Sequence, residues 1–441
     1  MRSHTANGFA PRSGWSVAAQ TGAALAGAMG VGRFVFTPVL PLMEAQAHLT
    51  SAQASTLATS NYLGYLVGAL LGISLPVLSQ ARLALRVSGI GLVATLVAMP
   101  LTHDVVAWTA IRGLAGVASA VIFMVAGNTI LTELTSAQPH LIGWAYGGVG
   151  AGIALSGALV AVIKSISDWQ AAWWSSAGVT ALLLAAAWFV GVAKPVGKQA
   201  AQPTARDAAR RNHRWFAILA VSYFLEGAGY IVAGTFLVAA ISAIGPSWVS
   251  SSVWIIVGAA AVPSCAAWTW LSRRVSRPTL ITGALLLQAV GIALPARTAA
   301  VPAALAAAVL FGATFIGITT LSLATGRHLR VPRAVAILTA GYAIGQVLGP
   351  LVVEPTLHSG YRPALLVGSG LVLAAAVASA LLRIRFPQHD EAVRVTRPQL
   401  TGHRGRRARA CAAGPTGGRR RHAGPGPPTS RGRSGPAGRG W

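Results

Sequence analysis

Three ionisable residues lie deep inside runs of Ala, Leu, Val and Gly: Arg33, Arg112 and Glu226. A charge in such surroundings costs at least about 2.5–3.5 kcal/mol, so it faces water, a ligand or a partner. Arg33 stands in "AMGVGRFVFTPVLPLM", residues 28–43. Gly27, Gly30 and Gly32 let neighbouring helices approach closely, and Pro38 and Pro41 are expected to bend or break the outer end of the helix. A guanidinium there can grip an anion with two parallel donors, or pair internally and only lock helices together. Glu226 falls about twelve residues into its apolar run, some 18 Å along a helix. A carboxyl group withdrawn from water suits the uptake and release of a proton. Facing Arg33 or Arg112, it could instead form a permanent bridge. Asn61, Tyr62, Tyr65, Tyr223, Tyr230, Tyr342 and Gln346 could contact a solute, or simply hydrogen-bond between helices.

These residues need elements to position them, and the composition says which. The chain has 441 residues, 54% hydrophobic and only 10% charged, where a soluble domain has about 25% charged. Apolar runs of bilayer-crossing length recur along it, predicting an all-α polytopic membrane protein with no cleaved leader. Twelve spans are predicted, at about 15–43, 53–79, 83–102, 105–132, 141–164, 170–192, 214–242, 249–271, 278–296, 301–325, 333–356 and 363–384. The corresponding organisation is a cytoplasmic N-terminus (1–14), a six-helix bundle (15–193), a cytoplasmic linker (194–213), a second six-helix bundle (214–386) and a disordered basic tail (387–441).

The formal charge of +26 invites a nucleic-acid reading, but the cations outside the tail collect in alternate loops. Sixteen up to residue 333 fall on one side (Arg2, Arg12, Arg82, Arg86, six over 194–214, Arg273, Arg274, Arg277, Arg327, Arg330 and Arg333), against Lys164, Arg297 and Arg362 on the other. The bias predicts a cell (inner or plasma) membrane protein with both termini cytoplasmic. No nucleic acid is expected as a partner. The tail from 402 could hold anionic headgroups, or be the product of a shifted reading frame. Two cysteines, no His/Asp/Glu cluster in the spans and no phosphate loop argue against a metal, a cofactor, an enzyme or ATP drive.

The halves repeat: "GWAYGGVGAG" (143–152) matches "GYAIGQVLGP" (341–350), "IRGLAG" (111–116) matches "LFGATF" (310–315), and "DWQAAWWSSAG" (168–178) matches "GYRPALLVGSG" (360–370). With "GVGRFVFTPVLPLM" (30–43), "SNYLGYLVGALLG" (60–72), "YFLEGAGYIVAGTF" (223–236) and "LTAGYAIGQVLGP" (338–350), the chain resembles a major facilitator superfamily transporter, within it the YbfB-type branch. That resemblance implies two pseudo-symmetric bundles and a central cavity lined by the first, fourth, seventh and tenth helices, where all three charges then fall. Arg112, in "RGLAGVASA" (112–120), is similar to the cavity arginine of the family's fourth helix.

The resemblance further implies that the second and eleventh helices meet across the halves, so that Gly64, Gly68 and Gly72 with Gly341, Gly345 and Gly349 would give smooth faces for rocking or static packing. Two departures count against a drug-antiporter label: "SQARLALR" lacks the Asp of the family's cytoplasmic signature, and the fifth span has no Gly-Pro pair. The expected function is secondary transport of a small solute coupled to protons, by alternating access of a monomer in the lipid bilayer. The alternative is a membrane receptor or sensor on the same fold, binding solute without flux.

Overall fold

The computed structural model describes residues 13–75, 78, 81–134, 140–190, 203–243, 245–331, 333–384 and 386. The expected N-terminal segment, the first part of the linker and the tail lie outside these. Among the described residues every regular element is helical. In chain order they are α1 (Gly14–Gln46, interrupted), α2 (Ser51–Ser74), α3 (Arg82–Ala98), α4 (Val105–Thr129), α5 (His140–Ile166), α6 (Trp169–Ala186), α7 (Pro203–Ser242), α8 (Ser247–Leu271), α9 (Arg277–Arg297), α10 (Val301–His328), α11 (Ala334–Val353) and α12 (Tyr361–Leu381).

Ten of them are long and apolar enough to cross a bilayer. The two that fall short are α2, whose first half is "SAQASTLATSNY", and α6, which opens "WQAAWWSS". Large apolar side chains such as Leu83, Ile90, Leu114, Leu182 and Val377 are exposed while arginines and a glutamate are buried. That inside-out distribution suits lipid as the outer solvent.

Local chemistry fixes the helix starts. Ser13 caps α1, Thr50 and Gln53 form a reciprocal capping box on α2, and Asp104 and Asp168 accept from the third-position amides of α4 and α6 at 2.8 Å each. Prolines in the first turn open α9 and α10, where a missing N–H costs nothing. The expected linker is shorter than its polarity suggested. Helix α7 already begins at Pro203 and runs unbroken through "ARDAARRNHR", because Ala and Arg favour helix even where they cannot enter a membrane. Helix α2 stops at Ser74, earlier than the expected 79, two residues ahead of Pro76.

The packing pairs repeat. The pairs α1·α5, α1·α6, α2·α4, α3·α4 and α3·α6 recur six helices later as α7·α11, α7·α12, α8·α10, α9·α10 and α9·α12. Between the first six helices (the N-terminal half) and the last six (the C-terminal half), the main contacts are α5·α8, α2·α11 and α1·α7.

Helix α1 departs from expectation at its break. The chain is a π-helix over Ala26–Arg33, turns at Phe34 and Val35, and then resumes as α-helix from Phe36 through both prolines. The interruption covers Gly27, Gly30 and Gly32 and ends at Phe34, four residues ahead of Pro38, the distance at which a proline disturbs a helix. Gly30 lies against the backbone of Gly152 on α5, and Gly32 against the side chain of Leu92 on α3. Such contact leaves no room for a regular side chain and rewards a widened turn.

Candidate functional site

The break in α1 sets up the site. Pro38 has no N–H, and the Thr37 N–H bonds the Phe34 carbonyl at 3.2 Å, so the Arg33 carbonyl is left free. Arg112 on α4 fills that vacancy. It is 2% exposed, and its two amino nitrogens donate to the carbonyls of Arg33 at 2.8 Å and Gly32 at 3.4 Å. Its guanidinium also lies 5.5 Å from the Phe36 ring centre and 5.7 Å from that of Trp173. Asn61 on α2 donates to the Arg112 carbonyl at 2.9 Å, which continues the chain of contacts α1–α4–α2.

Arg33 points the other way, across to the C-terminal half. It is 3% exposed and donates to the Gln346 side-chain carbonyl on α11. Gln346 in turn donates to the Tyr230 hydroxyl on α7 at 2.9 Å. The guanidinium carbon of Arg33 sits 3.9 Å from the Tyr65 ring centre and 5.2 Å from that of Tyr62, cation–π distances on both. Tyr62 shares a 2.7 Å hydrogen bond with Thr235 on α7. One buried polar chain therefore joins the halves near the middle of α1, α2, α7 and α11.

Aromatic rings extend the cluster. Tyr223 stacks on Tyr342 at 4.3 Å, Tyr342 lies 5.4 Å from Tyr230, and Tyr230 lies 6.2 Å from Phe315 and 6.4 Å from Phe311. All four pairs lie within 19° of parallel. Next to them is a small apolar void with room for about one water, lined by Phe34, Tyr230, Trp254, Phe311 and Phe315 among others.

Glu226 is 0% exposed, and neither carboxyl oxygen meets a hydrogen-bond partner. Gln288 of α9 and Tyr342 lie beside it without adopting hydrogen-bond geometry, and the Gln288 amide is itself unpaired. Glu226 therefore meets neither Arg33 nor Arg112, contrary to the bridge the sequence allowed. Arg33 is turned to α11, and Arg112 is held by the backbone of α1.

The glycine faces also sit elsewhere than expected. Gly64, Gly68 and Gly72 press on Gly113, Val117, Ala120 and Met124 of α4; Gly345 and Gly349 press on Phe224, Ala228 and Ile231 of α7, while Gly341 meets no neighbour. Both faces are thus used inside their own halves. Small-residue contact between halves belongs to α5 and α8: Gly147 and Gly150 lie against the Val262 backbone, Gly150 also against Gly258, and Gly157 against Ile255. These glycines share one side of α5, whereas Gly148 and Gly152 share another that packs on α1.

Further ties between halves lie toward the ends of α1 and α7. Thr37 donates to the Gly234 carbonyl, Ser55 donates to the Pro350 carbonyl at 3.2 Å, and Tyr361 donates to Glu44. Over the same stretch α1 and α7 are buried on every side, at 24–40 and 226–241, whereas residues 13–23 and 212–225 are exposed in part. Sequence reasoning missed Gln288, Thr235 and the Glu44–Tyr361 pair. Gln288 carried a usable signal, as the only amide in "LLLQAVG". Glu44 looked like loop because it lies at a span end.

The family described as uncharacterised MFS-type transporter YbfB matches residues 25–380. The chain belongs to that family. It is accordingly a multi-pass membrane transport protein and not an enzyme. Two solved structures are similar to this transporter, a mutant of the nucleoside transporter NupG and NupG itself. The first has a TM-score of 0.66 at 13% identity over 83% of this chain and 99% of that one. The second has a TM-score of 0.63 at 14% identity, covering 84% and 99%. At such identities the likeness establishes the fold alone. No curated protein matches the sequence.

Proposed function

We propose that this transporter is a proton-coupled secondary carrier of a small solute, built of twelve spans in two six-helix halves that alternate in access. The recurrence of packing pairs at a six-helix offset supports the two-half arrangement. With both termini cytoplasmic, as the cation bias indicates, the ends of α1 and α7 face outward. The polar ties and full burial there suit a state closed to the outside, with the partly exposed helix beginnings turned to the cytoplasm. Rocking would pivot on the α5·α8 contact, where glycines bring backbones together with no side chain to interlock.

The observation that carries the reading is the buried polar chain Arg33–Gln346–Tyr230, which crosses between the halves with Glu226 close by and unpaired. An ionised carboxylate so placed costs several kcal/mol, which suits a group that holds a proton in one state and gives it up when water reaches it in the other. Tyr342 links the two parts, lying beside Glu226 and stacking toward Tyr230. Movement at the solute site can thereby reach the carboxyl group.

Proteoliposomes with an imposed pH gradient test this. Wild type is expected to accumulate solute against its gradient. Glu226→Gln is expected to lose accumulation while keeping solute exchange across the membrane. Full gradient-driven accumulation by Glu226→Gln removes the proton role.

A further inference from the structure

The site leaves a positive charge unanswered. Two guanidiniums are buried within it, and among the described residues no carboxylate pairs with either. Arg112 is consumed by two backbone carbonyls. Arg33 has the neutral oxygen of Gln346 and the rings of Phe34, Tyr62 and Tyr65, and its Nε has no hydrogen-bond partner. Neutral groups offset the desolvation of a buried cation far less well than an anion does. Among the described residues the one acid at this depth, Glu226, is turned to Gln288 and Tyr342.

A small apolar void lies against Phe34, the neighbour of Arg33 in sequence, and Phe34 forms part of its wall from the N-terminal half. Tyr230, Phe311 and Phe315 form the facing wall from α7 and α10, their three rings mutually within 19° of parallel. Any separation of the halves widens this space, since its walls belong to both. Rings so aligned offer apolar faces of one orientation, against which a further flat ring can stack, and offer nothing to hydroxyl groups. A cation would meet Arg33 and Arg112. A sugar would leave most of its hydroxyls facing hydrocarbon.

Resting on the transport reading above, we infer that the solute is a flat aromatic or heteroaromatic compound carrying an anionic group. Its ring lies against Tyr230, Phe311 and Phe315, and its anion takes the place of Gln346 on Arg33. Gln346, displaced, keeps Tyr230 as its partner, so occupancy of the site breaks the hydrogen bond that ties α1 to α11. Binding and release of that central tie are then one event.

The test uses the full-length protein in lipid nanodiscs, titrated calorimetrically with benzoate, 1-naphthoate and indole-3-acetate. Benzamide, cyclohexanecarboxylate and the neutral nucleoside uridine are titrated beside them. At least one flat acid is expected to bind about tenfold or more tighter than benzamide and cyclohexanecarboxylate, the loss expected when a buried charge or a ring contact is removed. Arg33→Gln is expected to weaken that acid about tenfold or more, and Arg33→Lys less, at wild-type melting temperature. Phe315→Leu, a second variant that leaves the charge in place, is expected to weaken the flat acid and leave cyclohexanecarboxylate unchanged.

The inference is overturned if none of the three acids binds, if the saturated acid binds as well as the flat ones, or if the Phe315 and Arg33 variants bind like wild type. Flux measurements separate it from the reading beneath it. Proton-linked uptake of uridine with no binding of flat acids keeps the transporter and removes the aromatic anion. Flat-acid binding without flux under any gradient keeps the site and removes transport.

Discussion

Removing one hydroxyl, that of Tyr361, should loosen the halves where α1 ends and α12 begins. Tyr361 donates there to Glu44, and its ring stacks on Phe236 at 5.3 Å and 22°. Tyr361→Phe keeps the stack and deletes only the hydrogen bond. A hydrogen bond to a charged group contributes roughly 1.5–3 kcal/mol, so the ratio of closed to open molecules should fall roughly ten- to a hundred-and-fifty-fold. The other ties, Thr37 to Gly234, Ser55 to Pro350 and Tyr62 with Thr235, remain and keep the variant folded.

Spin labels at Leu101→Cys and Thr298→Cys, both exposed and on opposite halves, read the change by pulsed electron resonance in a Cys265→Ser, Cys411→Ser background. A longer-distance population is expected to grow. Glu44→Ala, which removes the acceptor, should move it the same way, and the double variant should add little to either single one, because both delete the same contact. A wild-type distance distribution in Tyr361→Phe would refute the gate. Additive effects of the two substitutions would refute the pairing.

Three other outcomes are expected. Gly150→Leu should lose transport and lower the melting temperature in a thermal-unfolding assay, since any side chain at 150 runs into the α8 backbone at Val262 and Gly258, and overpacking costs about 1–3 kcal/mol. Arg112→Gln should destabilise the protein by roughly 1.5–3 kcal/mol for each charged hydrogen bond lost to the α1 carbonyls; an unchanged melting temperature would show that Arg112 does not clamp the break. Deleting residues 402–441 should leave proteoliposome flux intact, whereas loss of a cellular response with flux retained would favour the receptor alternative.

Much of the fold was legible in the sequence because a bilayer imposes one strong rule. Backbone groups in hydrocarbon must bond within their own segment, so long apolar runs are helices wherever they occur. That rule placed the ten helices long and apolar enough to cross a bilayer, and it flagged Arg33, Arg112 and Glu226, since a charge stands out against Ala and Leu. Internal likeness between residues 143–152 and 341–350 placed α5 and α11 in equivalent positions, and the pairing α1·α5 with α7·α11 agrees. Gln288 and Glu44 escaped notice for opposite reasons: an amide carries no charge to flag it, and a charged residue at a span end is unremarkable.

What only the tertiary structure decided is who faces whom. A residue's type states what it needs, a counter-charge or a donor or a flat partner, while the rotation of each helix states what it receives. Arg33 and Glu226 could have met, yet the turn of α1 after its π segment aims one at Gln346, and α7 aims the other at Gln288. The four-residue glycine spacing of α2 and α11 fixes a smooth stripe, but that stripe suits any close neighbour, and α4 and α7 lie nearer than the other half. Periodicity determines faces within a helix; the angle at which helices pack against one another is a property of the whole assembly, because each contact is settled only when all the others are.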